Sequence, residues 1–234
     1  MLDRTALSRR TLLLALPALA AASCGGEPAR ETRQPMPAPP AAPGPAAPEP
    51  ATGPVVTVLG DSITAGLGLP AAEALPAQLQ AALNRRGVAA RVRGAGVSGD
   101  TSAGGLARLD FSVQDDTAVC VLALGGNDLL QGIEPARLRA NIDAAVQRLQ
   151  TRGIRVVLAG LRPPLGASGN YGREFASAFS SVAEARDVAG FVPNLLEGVG
   201  APLRQADGLH PNAEGVRIMA ERLAFEVARA LAAA

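Results

Sequence analysis

The fold is decided by residues 55–62, which read VVTVLGDS. A short run of apolar and β-branched residues ends there at Gly60, and such a run bounded by a turn residue is typical of a buried strand. Asp61 and Ser62 follow directly. We therefore expect Ser62 to lie on a strand-to-helix turn, at the mouth of a sheet.

The same kind of apolar run recurs along the chain, and stretches with helical spacing lie between the runs. The further predicted strands are residues 88–92, 118–124, 154–159 and 190–192. The predicted helical stretches are residues 75–83, 138–149, 175–182 and 216–231. This alternation predicts an α/β fold, a parallel sheet covered by helices on both faces, with residues 118–124 at its centre. Ligands then bind beyond the carboxyl ends of the strands.

Composition excludes several classes of function. The 234 residues carry a formal net charge of +1, which argues against nucleic acid as a partner. All 22 basic residues are arginine, so the lysine that a P-loop needs is missing. Two cysteines and one histidine are too few for a Cys/His zinc site or a disulfide scaffold.

The N-terminal part differs from the rest. Residues 1–24 are predicted to be an export signal, because arginines precede an uncharged stretch, residues 11–22, that is too short to span a bilayer. Residues 25–54 hold ten of the 19 prolines and are predicted to be a disordered Pro/Ala-rich linker. Residues 55–234 then form the folded domain.

Two segments of the signal resemble known export sequences. Residues 8–13 (SRRTLL) resemble a twin-arginine signal, although an ordinary basic region fits them equally well. Residues 21–24 (AASC) resemble a lipoprotein cleavage box, which implies that Cys24 becomes a lipidated N-terminus; a plain cut near Ala22 is the alternative. Lipidation of Cys24 leaves Cys120 without a partner, and its apolar surroundings predict a buried small hydrophobe.

The only histidine, His210, is the natural candidate for a general base, since imidazole titrates near neutral pH. Asp207 precedes it by three positions, a spacing at which a carboxylate can hold one ring nitrogen while the other accepts a proton from a hydroxyl. Ser62 is the candidate nucleophile; its alternative role is to cap a helix. Pro211 is expected at the first position of the helix that follows.

Acyl transfer also needs donors for a developing oxyanion. The candidates are the backbone N–H groups of Ser62 and Gly99 and the side-chain amide of Asn127, for which a simple turn-forming role is the alternative. Asp61 and Asp128 are expected to brace these loops rather than to act as catalysts.

Five blocks of the sequence, in order, resemble the SGNH (GDSL) hydrolases, and most closely their periplasmic thioesterase, lysophospholipase and arylesterase group. The blocks are residues 60–62, 98–109, 125–128, 170–173 and 207–211. The resemblance implies a three-layer αβα sandwich with a five-stranded parallel sheet, a flavodoxin-like fold. It also assigns the nucleophile to Ser62, the oxyanion donors to Gly99 and Asn127, and the remaining catalytic pair to Asp207 and His210.

These observations together predict a serine esterase that works through an acyl-enzyme and needs no metal or organic cofactor. The expected partners are a small acyl ester, thioester or lysophospholipid as substrate, and the membrane through the lipid anchor. The expected location is the periplasm or cell surface. Residues 161–174 are expected to form a loop over the acyl site.

Two other functions stay open: a carbohydrate or peptidoglycan O-deacetylase on the same fold, and a non-catalytic tethered binding module. A dinucleotide site is not supported. Residues 94–99 read GAGVSG, but the next strand ends in Gly125-Gly126 where such a site needs an acidic residue.

Overall fold

A parallel sheet forms the centre of the fold. The computed structural model describes residues 53–163 and 169–233. The predicted signal, Cys24 and nearly all of the predicted linker lie outside these residues. The strands of the sheet are β1 (Val55–Gly60), β2 (Arg91–Gly96), β3 (Thr117–Ala123), β4 (Arg155–Ala159) and β5 (Gly190–Val192). They pair in the order β2-β1-β3-β4-β5, and every pair is parallel.

Helices cover both faces of this sheet, which gives the three-layer α/β sandwich that the sequence predicts. The α-helices are α1 (Ser62–Ala65), α2 (Leu75–Arg85), α3 (Ser102–Ala107), α4 (Leu109–Ser112), α5 (Gly126–Leu130), α6 (Pro135–Thr151), α7 (Asn170–Ala185) and α8 (Ala213–Ala232), with 3-10 turns at Ala71–Glu73 and Ala201–Leu203. One layer contains α2 packed against α8, and the other contains α6 packed against α7. No helix among residues 53–163 and 169–233 combines the length and the apolar character needed to cross a bilayer.

The most apolar strand is central, as predicted. β3 lies between β1 and β4, and all of its residues except Ala118 are buried. Cys120 in this strand is free and fully buried, and burial raises the pKa of its thiol to about 12. It therefore behaves as the small hydrophobe that the sequence predicts.

The second strand was predicted too early in the chain. The prediction was residues 88–92, whereas β2 runs from Arg91 to Gly96. Its bounds are set by pairing with β1, which aligns Val55 with Arg91 and Gly60 with Gly96. No residue of this edge strand is fully buried, so its apolar pattern is weak, and the preceding residues 88–90 gave the stronger signal.

The stretch expected to be a loop, residues 161–174, is not a loop throughout. Helix α7 begins at Asn170, so the last part of that stretch is helical. Tyr171 on this helix stacks on Phe175, with ring centroids 6.0 Å apart, and donates a hydrogen bond to the Ile133 carbonyl. Residues 164–168 lie outside the described residues.

Gly96 allows the end of β2 to lie against the turn that carries Ser62. A Cβ atom at Gly96 would lie 2.3 Å from the Ala65 nitrogen and 2.8 Å from the Asp61 carbonyl oxygen. These are backbone atoms of the first strand-to-helix turn and cannot move aside as a side chain can.

We expect Gly96→Ala to lower the free energy of unfolding by about 1–3 kcal/mol and to lower activity, because it forces this turn to shift. Gly200→Ala is the matched control, since its Cβ would meet nothing closer than 3.8 Å. Urea unfolding of both variants measures the difference. Equal stabilities of the two variants would contradict the role assigned to Gly96.

Candidate active site

Ser62 lies at the carboxyl end of β1, as the first residue of α1. Asp61, not Ser62, is the N-cap of this helix: its Oδ1 accepts a hydrogen bond of 3.0 Å from the Ile63 N–H. The helix ends at once at Gly66, which has a left-handed backbone conformation. The hydroxyl of Ser62 is therefore not used for capping.

That hydroxyl lies beside the only histidine of the chain. The Ser62 Oγ is 2.8 Å from the His210 Nε2, although 148 positions of sequence separate the two residues. The His210 Nδ1 is 2.6 Å from the Asp207 Oδ2. The structure thus brings together the three residues that the sequence singled out.

Asp207 also holds the backbone of its own loop. Its Oδ1 accepts hydrogen bonds from the N–H groups of Leu209 and His210, at 2.9 and 3.0 Å. The hydrogen bond from the His210 ring, followed by these backbone bonds, lowers the pKa of Asp207 to about 2. The carboxylate is consequently ionised at neutral pH and can only accept.

The ionised carboxylate fixes the tautomer of the neutral imidazole. The Nδ1 atom must carry the hydrogen that is donated to Asp207, which leaves Nε2 as an acceptor for the Ser62 hydroxyl. This arrangement is able to remove a proton from Ser62.

The prediction for Pro211 was wrong. Helix α8 begins at Ala213 and is capped by Asn212, whose side chain accepts from the N–H groups of Glu214 and Gly215. Asparagine is among the best residues for this position, and its side chain satisfies two N–H groups that have no partner within the helix. Pro211 instead forms an antiparallel bridge with Arg204.

The candidate oxyanion donors lie at the same edge of the sheet. Gly60, Gly96 and Ala123 are aligned in the register of β1, β2 and β3, so the segments that carry Ser62, Gly99 and Asn127 leave the sheet at one level. Gly99 has a φ of +87°, and the space where its Cβ would lie is open.

The side-chain amide of Asn127 is held in place by one of its two hydrogens. Its Nδ2 donates to the Asp100 carbonyl at 2.8 Å, and the second hydrogen remains available to another acceptor. Since Asp100 follows Gly99, this bond also ties two donor-bearing segments together.

The acidic residues Asp61 and Asp128 brace the loops, as expected. Asp128 is buried and accepts from the backbone N–H of Ser102 at 2.7 Å and from its hydroxyl at 2.5 Å. Asn141 of α6 donates to the same hydroxyl. The end of β3 is thereby fixed to α3.

Arg108 is a bracing residue that sequence reasoning did not single out. Its guanidinium donates to the Asp100 carboxylate at 2.5 Å and to the Gly60 carbonyl at 2.8 Å. It therefore connects the segment after β2 with the end of β1, next to Ser62. Its place near the end of the 98–109 block was the available signal, but an arginine there is equally consistent with a solvated helix face.

No group of three or more His, Cys, Asp and Glu side chains within the described ranges is arranged to bind a metal ion.

Asp61 is an unusual carboxyl group, because it is almost fully buried. Burial raises its pKa to about 6, and the Ile63 N–H and nearby His210 only partly oppose this rise.

A raised carboxyl pKa makes stability depend on pH. The folded state holds the proton of Asp61 more tightly than the unfolded state does, because the pKa of this carboxyl rises from 3.8 to about 6 on folding. The resulting contribution to the free energy of unfolding is fully present below pH 3.8 and is lost as the pH rises through about 6. In Asp61→Asn, which keeps a capping oxygen, this loss is absent. We expect the variant to gain about 2 kcal/mol relative to wild type between pH 4 and pH 7, measured by urea unfolding. A difference that does not vary with pH would contradict the prediction.

Comparisons with known proteins identify the family of this chain. The sequence matches the GDSL-like Lipase/Acylhydrolase family over residues 58–218. Esterase TesA of Pseudomonas aeruginosa is 43% identical over 160 residues, which cover 66% of this chain and 78% of TesA. Thioesterase 1/protease 1/lysophospholipase L1 of Escherichia coli K12 is 33% identical over 177 residues, covering 73% of this chain and 81% of that protein.

A solved structure of similar sequence shares the fold. The crystal structure of AlinE4, an SGNH-hydrolase family esterase, superimposes with a TM-score of 0.64 at 40% identity, and the match covers 77% of this chain and 97% of AlinE4. The family match spans more than half of the chain and contains Ser62, Asp207 and His210. The chain therefore belongs to the GDSL-like lipase/acylhydrolase family, the SGNH hydrolases.

Proposed function

We propose that this SGNH esterase hydrolyses acyl esters or thioesters through Ser62, His210 and Asp207, with an acyl-enzyme intermediate. The observation that carries the proposal is the continuous contact from the Ser62 hydroxyl to the imidazole, at 2.8 Å, and from the imidazole to the Asp207 carboxylate, at 2.6 Å. Both distances lie within the range over which a proton can be transferred.

The first half of the reaction acylates the enzyme. Ser62 Oγ attacks the carbonyl carbon of the substrate while its proton passes to His210 Nε2. The Asp207 carboxylate stabilises the imidazolium, and the oxyanion accepts hydrogen bonds from the Ser62 N–H, the Gly99 N–H and the Asn127 amide. The tetrahedral intermediate collapses, and His210 returns the proton to the departing alcohol or thiol.

The second half releases the acyl group. Water gives a proton to His210 Nε2 as it attacks the ester carbonyl on Ser62, and the same donors hold the oxyanion. The carboxylic acid leaves when His210 returns the proton to Ser62 Oγ. The cycle consumes one water and requires no cofactor.

Exposed apolar side chains on the segments that carry the proposed site residues favour an acyl chain over an acetylated sugar. Four of the large hydrophobic residues that the described structure leaves exposed lie within five positions of a proposed site residue, on separate segments. They are Leu67, Val97, Leu130 and Leu209, which are 48%, 45%, 60% and 42% exposed. We call these four residues the aliphatic rim. The names of the relatives, an esterase and a thioesterase/lysophospholipase, point to the same substrate class.

The features predicted for the N-terminal region favour a location at a membrane surface outside the cytoplasm. An export signal at residues 1–24, lipidation at Cys24 and a Pro/Ala-rich tether at residues 25–54 would hold the domain at a membrane surface outside the cytoplasm. Lysophospholipids and other acyl lipids are available to an enzyme held there.

We expect Ser62→Ala to lose at least ~10³-fold in kcat/KM on nitrophenyl esters, acyl-CoA and lysophosphatidylcholine, because the nucleophile is removed. Ser180→Ala, which changes an exposed serine of α7, is the matched control and keeps full activity. Wild-type rates in Ser62→Ala would overturn the proposed mechanism.

The aliphatic rim predicts a preference among acyl chains. The kcat/KM of wild type should rise from acetyl to octanoyl nitrophenyl esters, and Leu130→Ser should reduce this rise about threefold to tenfold, because apolar contact with the longer chain is lost. Phe225→Ser, at an exposed position on α8, is the control. A strong preference of wild type for acetyl esters would favour the sugar O-deacetylase alternative instead.

A further inference from the structure

Gln205 lies two positions before Asp207, and its half-buried side chain faces another loop. Its amide Nε2 donates two hydrogen bonds to backbone carbonyls, at 2.8 Å to Leu67 and at 3.0 Å to Pro211. Leu67 belongs to the segment that follows Ser62, whereas Pro211 follows His210. One amide group therefore touches both segments of the proposed catalytic pair.

The backbone extends this connection to both residues of the pair. The Leu67 N–H donates to the Ser62 carbonyl at 3.0 Å, and the Gln205 N–H donates to the His210 carbonyl at 2.8 Å. A path of three hydrogen bonds thus runs from Ser62 through Leu67 and Gln205 to His210.

This path has little redundancy. Within the parts of the chain that the structure describes, two hydrogen bonds join residues 62–69 to residues 205–211. One is the contact between Ser62 and His210 itself, and the other is the bond from Gln205 to Leu67. The first is made and broken in every catalytic cycle, so it cannot by itself maintain the geometry on which it depends.

Gly68, in the loop that follows Ser62, leaves space for the side-chain amide of Gln205. A Cβ atom at Gly68 would lie 2.2 Å from Gln205 Oε1, and the φ of Gly68 is +76°. A residue with a side chain at this position would both be strained and displace the amide. Glycine at position 68 and glutamine at position 205 therefore fit one another.

We infer that Gln205 is a positioning residue, which holds the loop of His210 at the correct distance from the turn of Ser62. The inference rests on the proposed function. Gln205 touches neither the substrate carbonyl nor the reacting atoms in the proposed mechanism, and it acts through the backbone. A displacement of about 1 Å between reacting groups can cost on the order of 10²-fold in rate, so loss of the bridge affects catalysis more than binding.

The test replaces Gln205 by methionine, which keeps the length of the side chain and removes both donated bonds. Gln150→Met is the matched control, because Gln150 is also half-buried and its Nε2 also donates to a backbone carbonyl, that of Arg186 at 2.7 Å. Gln150 lies near the end of α6 that leads into β4, away from the edge of the sheet that carries Ser62.

Each variant is assayed with a nitrophenyl ester, and its working sites are counted by titration with a fluorophosphonate. We expect Gln205→Met to lose ~10–100-fold in kcat per titrated site, with KM within about twofold of wild type and a thermal midpoint close to that of Gln150→Met. The rate of fluorophosphonate labelling should fall by a similar factor.

A role in stability alone would give a different result. Fewer titratable sites, each with the kcat of wild type, would overturn the inference, and so would equal kcat values in Gln205→Met and Gln150→Met. If Gln205→Met does not fold, Gln205→Asn, which keeps the amide but shortens its reach, is judged by the same criteria. Ser62→Ala in the same assay separates the two claims: activity in Ser62→Ala contradicts the proposed function, whereas inactivity there with full kcat in Gln205→Met contradicts only the inference about Gln205.

Discussion

The proposed chemistry depends on one contact, the hydrogen bond between the Ser62 hydroxyl and the His210 imidazole. Along the sequence, the two residues lie near opposite ends of the described domain, 148 positions apart. What brings them together is the parallel sheet, in which the carboxyl ends of all strands meet at one edge. Ser62 leaves the sheet from β1, beside the centre of the sheet, and His210 arrives on the loop that leads into α8, which packs on β3, β4 and β5.

The sheet alone brings these loops only into the same neighbourhood. Their final positions depend on side chains that hydrogen-bond to the backbone of another loop: Asp128 to Ser102, Arg108 to Gly60 and Gln205 to Leu67. Each such bond satisfies a backbone polar group, and each restrains a segment that carries a proposed catalytic group. Preorganised donors of this kind are effective because they do not reorient during the reaction.

The central strand and the residues that meet at the site were predicted correctly where their signal is local in the sequence. β3 was assigned to the centre because its apolar run is nearly continuous, and His210 stood out because it is the only imidazole in the chain. The failures have equally specific causes. β2 was misplaced because an edge strand needs no apolar pattern, and Pro211 was misplaced because Asn212 is the better cap.

Two bracing residues, Arg108 and Gln205, were not predicted from the sequence, unlike Asp61 and Asp128. Arg108 and Gln205 are ordinary polar residues in the sequence, and their partners, Gly60 and Leu67, are backbone carbonyls 48 and 138 positions away. Every residue has a backbone carbonyl, so the sequence does not distinguish the one that accepts a side-chain hydrogen bond. Only the assembled fold shows which polar side chain meets which loop.

The tautomer of His210 tests the account most directly, because the Asp207–His210–Ser62 contact requires a hydrogen on Nδ1 and none on Nε2. The sequence contains one histidine, so in protein prepared without a histidine tag the imidazole signals of a nitrogen-15 NMR spectrum belong to His210 alone. In the neutral state of the ring, we predict a protonated Nδ1 and an unprotonated Nε2. A neutral ring with its hydrogen on Nε2 would contradict the account, because such a ring could not accept the proton of Ser62.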